Sequence, residues 1–357
     1  SGESTFDGTN FYSASSGTYS GETFTIDATY LTRVEQVIDW SLNQGLVTIL
    51  DFHGQHLKSD FIKTFDSDES AYTDPTSARR YADNAKFRAI WTKLADTFKD
   101  KEHKLVFEII NEPYFHMSEG DMNTLNSELL AIITQGGNNP ERNIIVTGGG
   151  RTSYNAITKI DPSLFGSSPN RLIGTFHYYD PYSFTSSSKV ATASGTLLDD
   201  MSWGEGANKA SDESTVDGHF ATVKTWATTQ ASISSVPVFL GEFGADNTGG
   251  YNYSTGDLNA VSDNSTGFAD GGPDNTSKLA YLKYIAEKAI SDGFSFAVWD
   301  AGPKSNKTIN KRTDSPLTEN FDRSEFSATT YSPKLTTVST VLDTSVWVED
   351  VRYALVN

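Results

Sequence analysis

Short apolar runs recur along this chain, and between them lie stretches whose apolar residues repeat at helical spacing. The runs fall at 46–50, 105–110, 143–147, 172–178, 236–240 and 294–298. Before the first, Leu31, Val34, Val37, Ile38 and Leu42 mark a helix, with Asp27 placed to cap it and Gly45 to stop it. Phe87, Ile90, Trp91, Leu94 and Phe98 mark a second helix, and Leu125, Leu129, Leu130 and Ile133 a third. Val216, Phe220, Val223 and Trp226 mark another, and Leu279, Leu282, Ile285, Ala286 and Ile290 a last one closed by Gly293. Strands that alternate with helices imply parallel strands joined by right-handed crossovers, an α/β fold. Both faces of such strands are buried, which suits their apolar character.

The run Leu105-Val-Phe-Glu-Ile-Ile continues into Asn111-Glu112-Pro113, and five of its first six residues are apolar. Pro113 cannot donate to a ladder and is expected to stop the strand, which delivers Glu112 to the rim of a core. Glu108 falls in mid-strand and calls for a buried partner. The run 236–240 leads likewise to Gly241-Glu242-Phe243-Gly244. Five of the six runs hand over polar or aromatic groups at or just past their C-terminal ends: His53, Glu112, His177 with Tyr179, Glu242, and Trp299. In a closed (β/α)8 barrel, the TIM barrel, those ends share the face where active sites are built. An open doubly wound sheet also gathers strand ends, but typically with a phosphate loop. Gly148-Gly-Gly150-Arg-Thr-Ser153 lacks that loop's third glycine and well-placed acid, and it reads as a turn.

Composition narrows the partners. Lys and Arg number 28 against 46 Asp and Glu, a formal net charge of -18. Such a surface repels phosphate, so neither nucleic acid nor an anionic membrane is expected, whereas a neutral sugar polymer is. With no cysteine there is no disulfide, thiolate nucleophile or Cys-ligated zinc. No run approaches the roughly 18 apolar residues of a membrane span.

Two carboxyls on barrel strands about 5 Å apart are the arrangement of retaining glycoside hydrolysis. One, protonated, donates to the leaving oxygen; the other, ionised, attacks the anomeric carbon. Glu112 and Glu242 are the pair for this. Asn111 and His53 are placed to meet sugar hydroxyls, His177 and Tyr179 to hydrogen-bond the nucleophile, and Trp299 to stack on a sugar ring. Each residue alone has a plain structural reading: a surface glutamate, a satisfied histidine, a core tryptophan. Their shared position at strand ends is what favours chemistry. His56, His103, His116 and His219 read as solvent or loop residues.

Ile-Ile-Asn111-Glu112-Pro113, His177-Tyr-Tyr179-Asp-Pro-Tyr-Ser-Phe-Thr185, Gly241-Glu242-Phe-Gly and Val-Trp299-Asp-Ala-Gly together resemble glycoside hydrolase family 5. The segment from Phe24-Thr-Ile-Asp27 through Leu50-Asp51-Phe-His53 is similar to the approach to that family's third strand. The resemblance covers about residues 24 to 302 and is nearest the endo-β-1,4-glucanase, xyloglucanase and lichenase branch. It implies Glu112 as acid/base and Glu242 as nucleophile, with His53, Asn111, His177, Tyr179 and Trp299 lining the sugar site before the scissile bond. No cofactor and no metal are implied.

Six strands are readable where the family's barrel has eight, and the first two, with an arginine on the second, find no match before residue 24. The expectation is a single catalytic barrel domain over 1–357 that lacks an N-terminal portion; otherwise residues 1–23 and another chain or segment complete the wall. Ala301 stands where the family has asparagine, and Gly54 where a second histidine is common. The Gly, Asn, Asp and Ser rich stretch 245–275 reads as a rim-loop insertion, matching no EF-hand spacing for calcium. The leading expectation is a secreted, monomeric, retaining endo-β-1,4-glucanase acting on β-glucan. A xyloglucanase, a mannanase or other hemicellulase is the alternative on the same scaffold. Two further alternatives are a non-catalytic carbohydrate-binding protein and a metal-dependent hydrolase recruiting His53, His177 and Asp180.

Overall fold

The Asp27 carboxylate accepts a hydrogen bond from the Tyr30 N–H at 2.8 Å and so caps the first helix, α1 (Ala28–Asn43). Gly45 closes it at φ 78°, a conformation that suits glycine and resists a side chain. Both ends of this helix are therefore written locally in the sequence. The computed structural model describes residues 26–53, 78–113, 119–137, 139–166, 171–187, 201–229, 235–246 and 275–300. It also describes the short pieces 251–252, 257–258, 273, 307, 310–312, 345–347 and 354–355.

Six strands follow in chain order: β1 (Thr48–Asp51), β2 (Leu105–Glu108), β3 (Ile144–Val146), β4 (Leu172–Tyr178), β5 (Val238–Phe243) and β6 (Ser295–Val298). They form one sheet in that same order. The pairs β1/β2, β2/β3 and β3/β4 are parallel, with Thr48 opposite Leu105, Phe107 opposite Ile144, and Ile144 opposite Leu172. Helix α2 (Ala78–Thr97) connects β1 to β2, and α3 (Glu119–Ala131) connects β2 to β3, ending in a π-turn at Ile132–Gly136. Helix α4 (Lys209–Thr228) precedes β5 and α5 (Asn275–Asp292) precedes β6. Between β3 and β4 the described turns are short 3₁₀ segments at Ile157–Lys159 and Pro162–Gly166.

The chain divides into two compact units, Ser1–Phe176 with Thr225–Phe239, and His177–Lys224 with Leu240–Asn357. In the first, Trp91 of α2 is fully buried, packs 5.5 Å from the Phe107 ring, and donates its Nε1–H to the Ile109 carbonyl at 3.0 Å. Burial of such a ring contributes roughly 2–3 kcal/mol, and its one polar atom is satisfied. Gly174 in β4 lies under Trp226; a Cβ there would come within 2.9 Å of the indole, so this position requires glycine. In the second unit Tyr281 of α5 is wholly buried between Phe184 and Trp203, and its hydroxyl donates to the Tyr178 carbonyl at 3.3 Å. Burial pushes the Tyr281 phenol well above the ordinary tyrosine range, so it stays a donor.

Several boundaries differ from the pattern reading. Strand β1 begins at Thr48, because Leu46 and Val47 are exposed at its entrance. The outermost strands of the described sheet, β1 and β6, are half-buried rather than buried, having a strand neighbour on one side only among the described residues. Regular β2 ends at Glu108, which is therefore buried at the strand's end rather than in its middle. Strand β5 starts two residues later than read and ends three later, which places Glu242 inside it. Val37 and Ile290 fall on the outer faces of their helices, and Tyr281 and Ala289 take the buried positions on α5. The turn at 148–153 is a turn, with Gly149 and Gly150 at positive φ and the Thr152 N–H donating to the Gly149 carbonyl.

Of the 245–275 insertion, the described parts include a small hairpin, Tyr251–Asn252 against Asp257–Leu258, and Pro273, which bridges to Met201. Ala245, Asp246 and Asn275 at its two ends are also described; the rest of it lies outside the described residues, as do residues 1–25, 54–77 and 188–200. At the C-terminal end Ser345–Trp347 pairs antiparallel with Asn310–Arg312. No helix among the described residues is long and apolar enough to cross a membrane.

Candidate active site

In the first unit the ladder outlives the regular strand. Phe52 N–H donates to the Glu108 carbonyl, Ile109 N–H to Ile145, and Asn111 N–H to Phe52, so the backbone stays paired toward β3 as far as Ile109 and toward β1 as far as Asn111. Glu112 then takes φ 35°, left-handed backbone that a residue with a side chain rarely adopts. Such a conformation costs on the order of 1–3 kcal/mol and concentrates at functional sites. It turns the chain out of the sheet, and Glu112 is half-buried between buried Asn111 and buried Pro113. It is this turn at Glu112, one residue ahead of Pro113, that ends the pairing.

Asn111 meets His53 from the end of β1. Its Nδ2 lies 3.3 Å from His53 Nε2, while His53 Nδ1 lies 2.8 Å from Asp51 Oδ2. Asn111 Nδ2 can only donate and the Asp51 carboxylate can only accept, so the partners assign the proton to Nδ1 of a neutral ring. Asp51 was not singled out in the sequence; the two-residue spacing Asp51-Phe-His53, which puts both side chains on one face of a strand, is the signal that finds it.

In the second unit, alternation along β4 sorts the aromatic and polar groups. Tyr178 points to α4, where its hydroxyl lies 2.9 Å from His219 Nδ1 and its ring packs on Phe220. His219 is thus a helix residue packed on the sheet rather than a solvent one, and burial lowers its pKa while Asp180 opposes the shift. His177 and Tyr179 share the other side. The Tyr179 hydroxyl donates to Glu242 Oε2 at 2.9 Å, and His177 Nδ1 lies 3.5 Å from the same oxygen. Glu242 is itself largely buried, and hydrogen bonds to a carboxylate favour its ionised form. Trp299, just past β6, is half-buried, with its N–H donating to the Phe243 carbonyl at 2.8 Å.

Each unit thus carries part of the predicted set. His53 and Asn111 meet in the first, next to Glu112 along the chain; His177, Tyr179 and Glu242 meet in the second, with Trp299 just past the neighbouring strand β6. Ala301 and Gly54, the two departures noted beside Asp300 and His53, lie outside the described residues.

Parallel strands that present carboxyl, imidazole and phenol groups at their C-terminal ends are the build of a (β/α)8-barrel enzyme. Solved structures agree. A hyperthermophilic endo-β-1,4-glucanase in complex with substrate matches with a TM-score of 0.60 at 25% identity, over 85% of this chain and 80% of that one. Endoglucanase Cel5A from Thermotoga maritima matches with a TM-score of 0.63 at 19% identity, over 96% and 83%, a likeness of fold. Endoglucanase H of Acetivibrio thermocellus is 32% identical over 284 residues, 78% of this chain. The family model for cellulase, glycosyl hydrolase family 5, matches residues 9–305, and the chain belongs to that family. The matched part spans 24% of Endoglucanase H and 61% of Endoglucanase A of Paenibacillus barcinonensis, so those relatives are longer proteins.

Proposed function

We propose that this chain is a retaining endo-β-1,4-glucanase that hydrolyses β-glucan by double displacement, with Glu242 as nucleophile and Glu112 as acid/base. The observation that carries this assignment of roles is the hydrogen bond from Tyr179 to Glu242 Oε2. A nucleophilic carboxylate must be ionised, and a fixed O–H donor favours that state. Glu112, set off the sheet by its left-handed backbone, takes the complementary part: it protonates the leaving oxygen, then deprotonates the water that releases the sugar. Asn111, held by His53, meets the hydroxyl next to the reacting carbon, and Trp299 supplies an apolar face for a sugar ring. Family membership and the endoglucanase names of the relatives support β-glucan as substrate. A glucan polymer cannot cross a membrane, which supports action outside the cell, by a protein that works as a monomer.

Substitution separates the two carboxyls. Glu242→Gln and Glu112→Gln each lose nearly all activity on polysaccharide. On an activated aryl glycoside, azide restores turnover to the Glu112 variant and leaves a glycosyl azide of retained configuration. Near-wild-type polysaccharide hydrolysis by either variant would overturn the assignment. Release of reducing sugar from cellulose, lichenan, xyloglucan and mannan fixes the backbone preference; no release from any of them, with oligosaccharide still bound, would make this a binding protein.

A further inference from the structure

Beside Tyr179 lies an ion pair that no motif announces. Lys307 Nζ is 2.7 Å from Asp246 Oδ1 and donates to Ser186 Oγ at 3.2 Å. The lysine is 6% exposed and the aspartate 0%. Two charges withdrawn this far from water cost at least as much as their attraction commonly returns, and an apolar pair of equal volume packs as well. Stability is therefore a poor reason for the pair, and its position suggests another. Lys307 Nζ lies 5.6 Å from the centroid of the Tyr179 ring, within the range where an ammonium is drawn to an aromatic face. The lysine stem passes beside Gly244, where a Cβ would stand at ordinary contact distance, 3.4 Å from Lys307 Cδ and 3.8 Å from Trp299 Cβ. On the other side the Asp246 N–H donates to the Thr185 carbonyl, and Thr185 Oγ1 donates to the Tyr179 carbonyl at 2.6 Å. Tyr179 is thus held by its ring and by its backbone while its hydroxyl rests on Glu242.

We infer that Lys307, with Asp246 as its counter-ion, is a positioning residue for Glu242 that acts through Tyr179. A cation beside the ring draws electron density from the phenol, makes its O–H a stronger donor and so favours the ionised nucleophile. Within its unit Glu242 faces His177 and Tyr179 from β4, with Lys307 and Asp246 beside Tyr179. The inference rests on Glu242 being the nucleophile.

The test is the pH profile of kcat/KM on an aryl β-cellobioside, whose acidic limb reports ionisation of the essential base in the free enzyme. Lys307→Met combined with Asp246→Asn removes both charges and leaves neither orphaned. Its acidic limb moves up by about 0.5–1 pH unit, while Lys307→Arg keeps the wild-type limb. Asp246→Asn alone leaves the ammonium without its counter-ion and moves the limb down. In a Tyr179→Phe background the neutral pair shifts the limb no further. A folded neutral pair with the wild-type limb overturns the inference, and so does an upward shift in Asp246→Asn, which marks a packing role. Where the neutral pair does not fold, the sign of the Asp246→Asn shift decides. An active Glu242→Gln enzyme would instead remove the nucleophile assignment itself; an inactive one beside unshifted Lys307 variants removes this inference alone.

Discussion

The Tyr179 hydroxyl and Glu242 Oε2 are joined at 2.9 Å, and His177 approaches the same oxygen, so one carboxylate oxygen of Glu242 is committed to β4. The contact thus orients the carboxylate proposed above as the nucleophile. This fixes the expected consequence of Tyr179→Phe. A hydrogen bond to a charged group is worth about 1.5–3 kcal/mol, so kcat/KM falls by about one to two orders of magnitude. The acidic limb of the pH profile moves up, because the carboxylate loses a donor that favoured its ionised form. An unshifted limb with unchanged kcat/KM would show that the hydroxyl merely packs.

Asp51 gives a second test, in the other unit. Its carboxylate fixes the His53 proton on Nδ1, which leaves Nε2 to accept from Asn111. Asp51→Ala frees the ring to adopt the other tautomer, in which Nε2–H confronts the Asn111 amide instead of accepting from it. Asn111 then loses its orientation, and kcat/KM falls by about tenfold with the thermal midpoint little changed. Equal kinetics in the variant would show that Asn111 is held without this relay.

The strand ends were legible because buried parallel strands are apolar throughout, so that a polar residue at the end of a run, as at Glu112 or His177, stands out. Helix ends were legible where local chemistry sets them, as at Asp27, Gly45 and Gly293. What the pattern could not show was geometry decided by partners. Glu242 reads as lying beyond its strand because Gly241 and Glu242 are poor strand formers, yet pairing with β6 carries β5 on to Phe243. The left-handed turn at Glu112 has no sequence signature, since glutamate is not a residue that prefers it. Lys307 and Asp246 are separated by 61 residues and meet only through the fold.

Arg142 tests the frame rather than the chemistry. It is 4% exposed, and its guanidinium donates to the carbonyls of Phe98, Lys101, Glu102 and Leu105 while lying 5.1 Å from the Phe107 ring centroid. One side chain thus ties the end of α2 to the start of β2, the strand that leads to Asn111 and Glu112. Arg142→Met strips four carbonyls, two of them in buried hydrogen bonds, of a charged donor and costs about 3–5 kcal/mol of unfolding free energy, read from the denaturant midpoint. A loss below about 1 kcal/mol would mean that water replaces the guanidinium at those carbonyls.

His219 makes the fold behind β4 sensitive to acid. Its Nδ1 lies 2.9 Å from the Tyr178 hydroxyl, burial lowers its pKa below the ordinary 6.5, and Asp180 pulls the other way without reversing the shift. A histidine that prefers to be neutral when folded binds fewer protons in the native state than in the unfolded one. Its contribution is therefore full above the unfolded pKa and is lost as the pH falls through the lowered folded value. The wild-type thermal midpoint should accordingly drop further than that of His219→Gln between about pH 7.5 and pH 5. Parallel melting curves for the two proteins across that range would show that acid acts on the fold elsewhere.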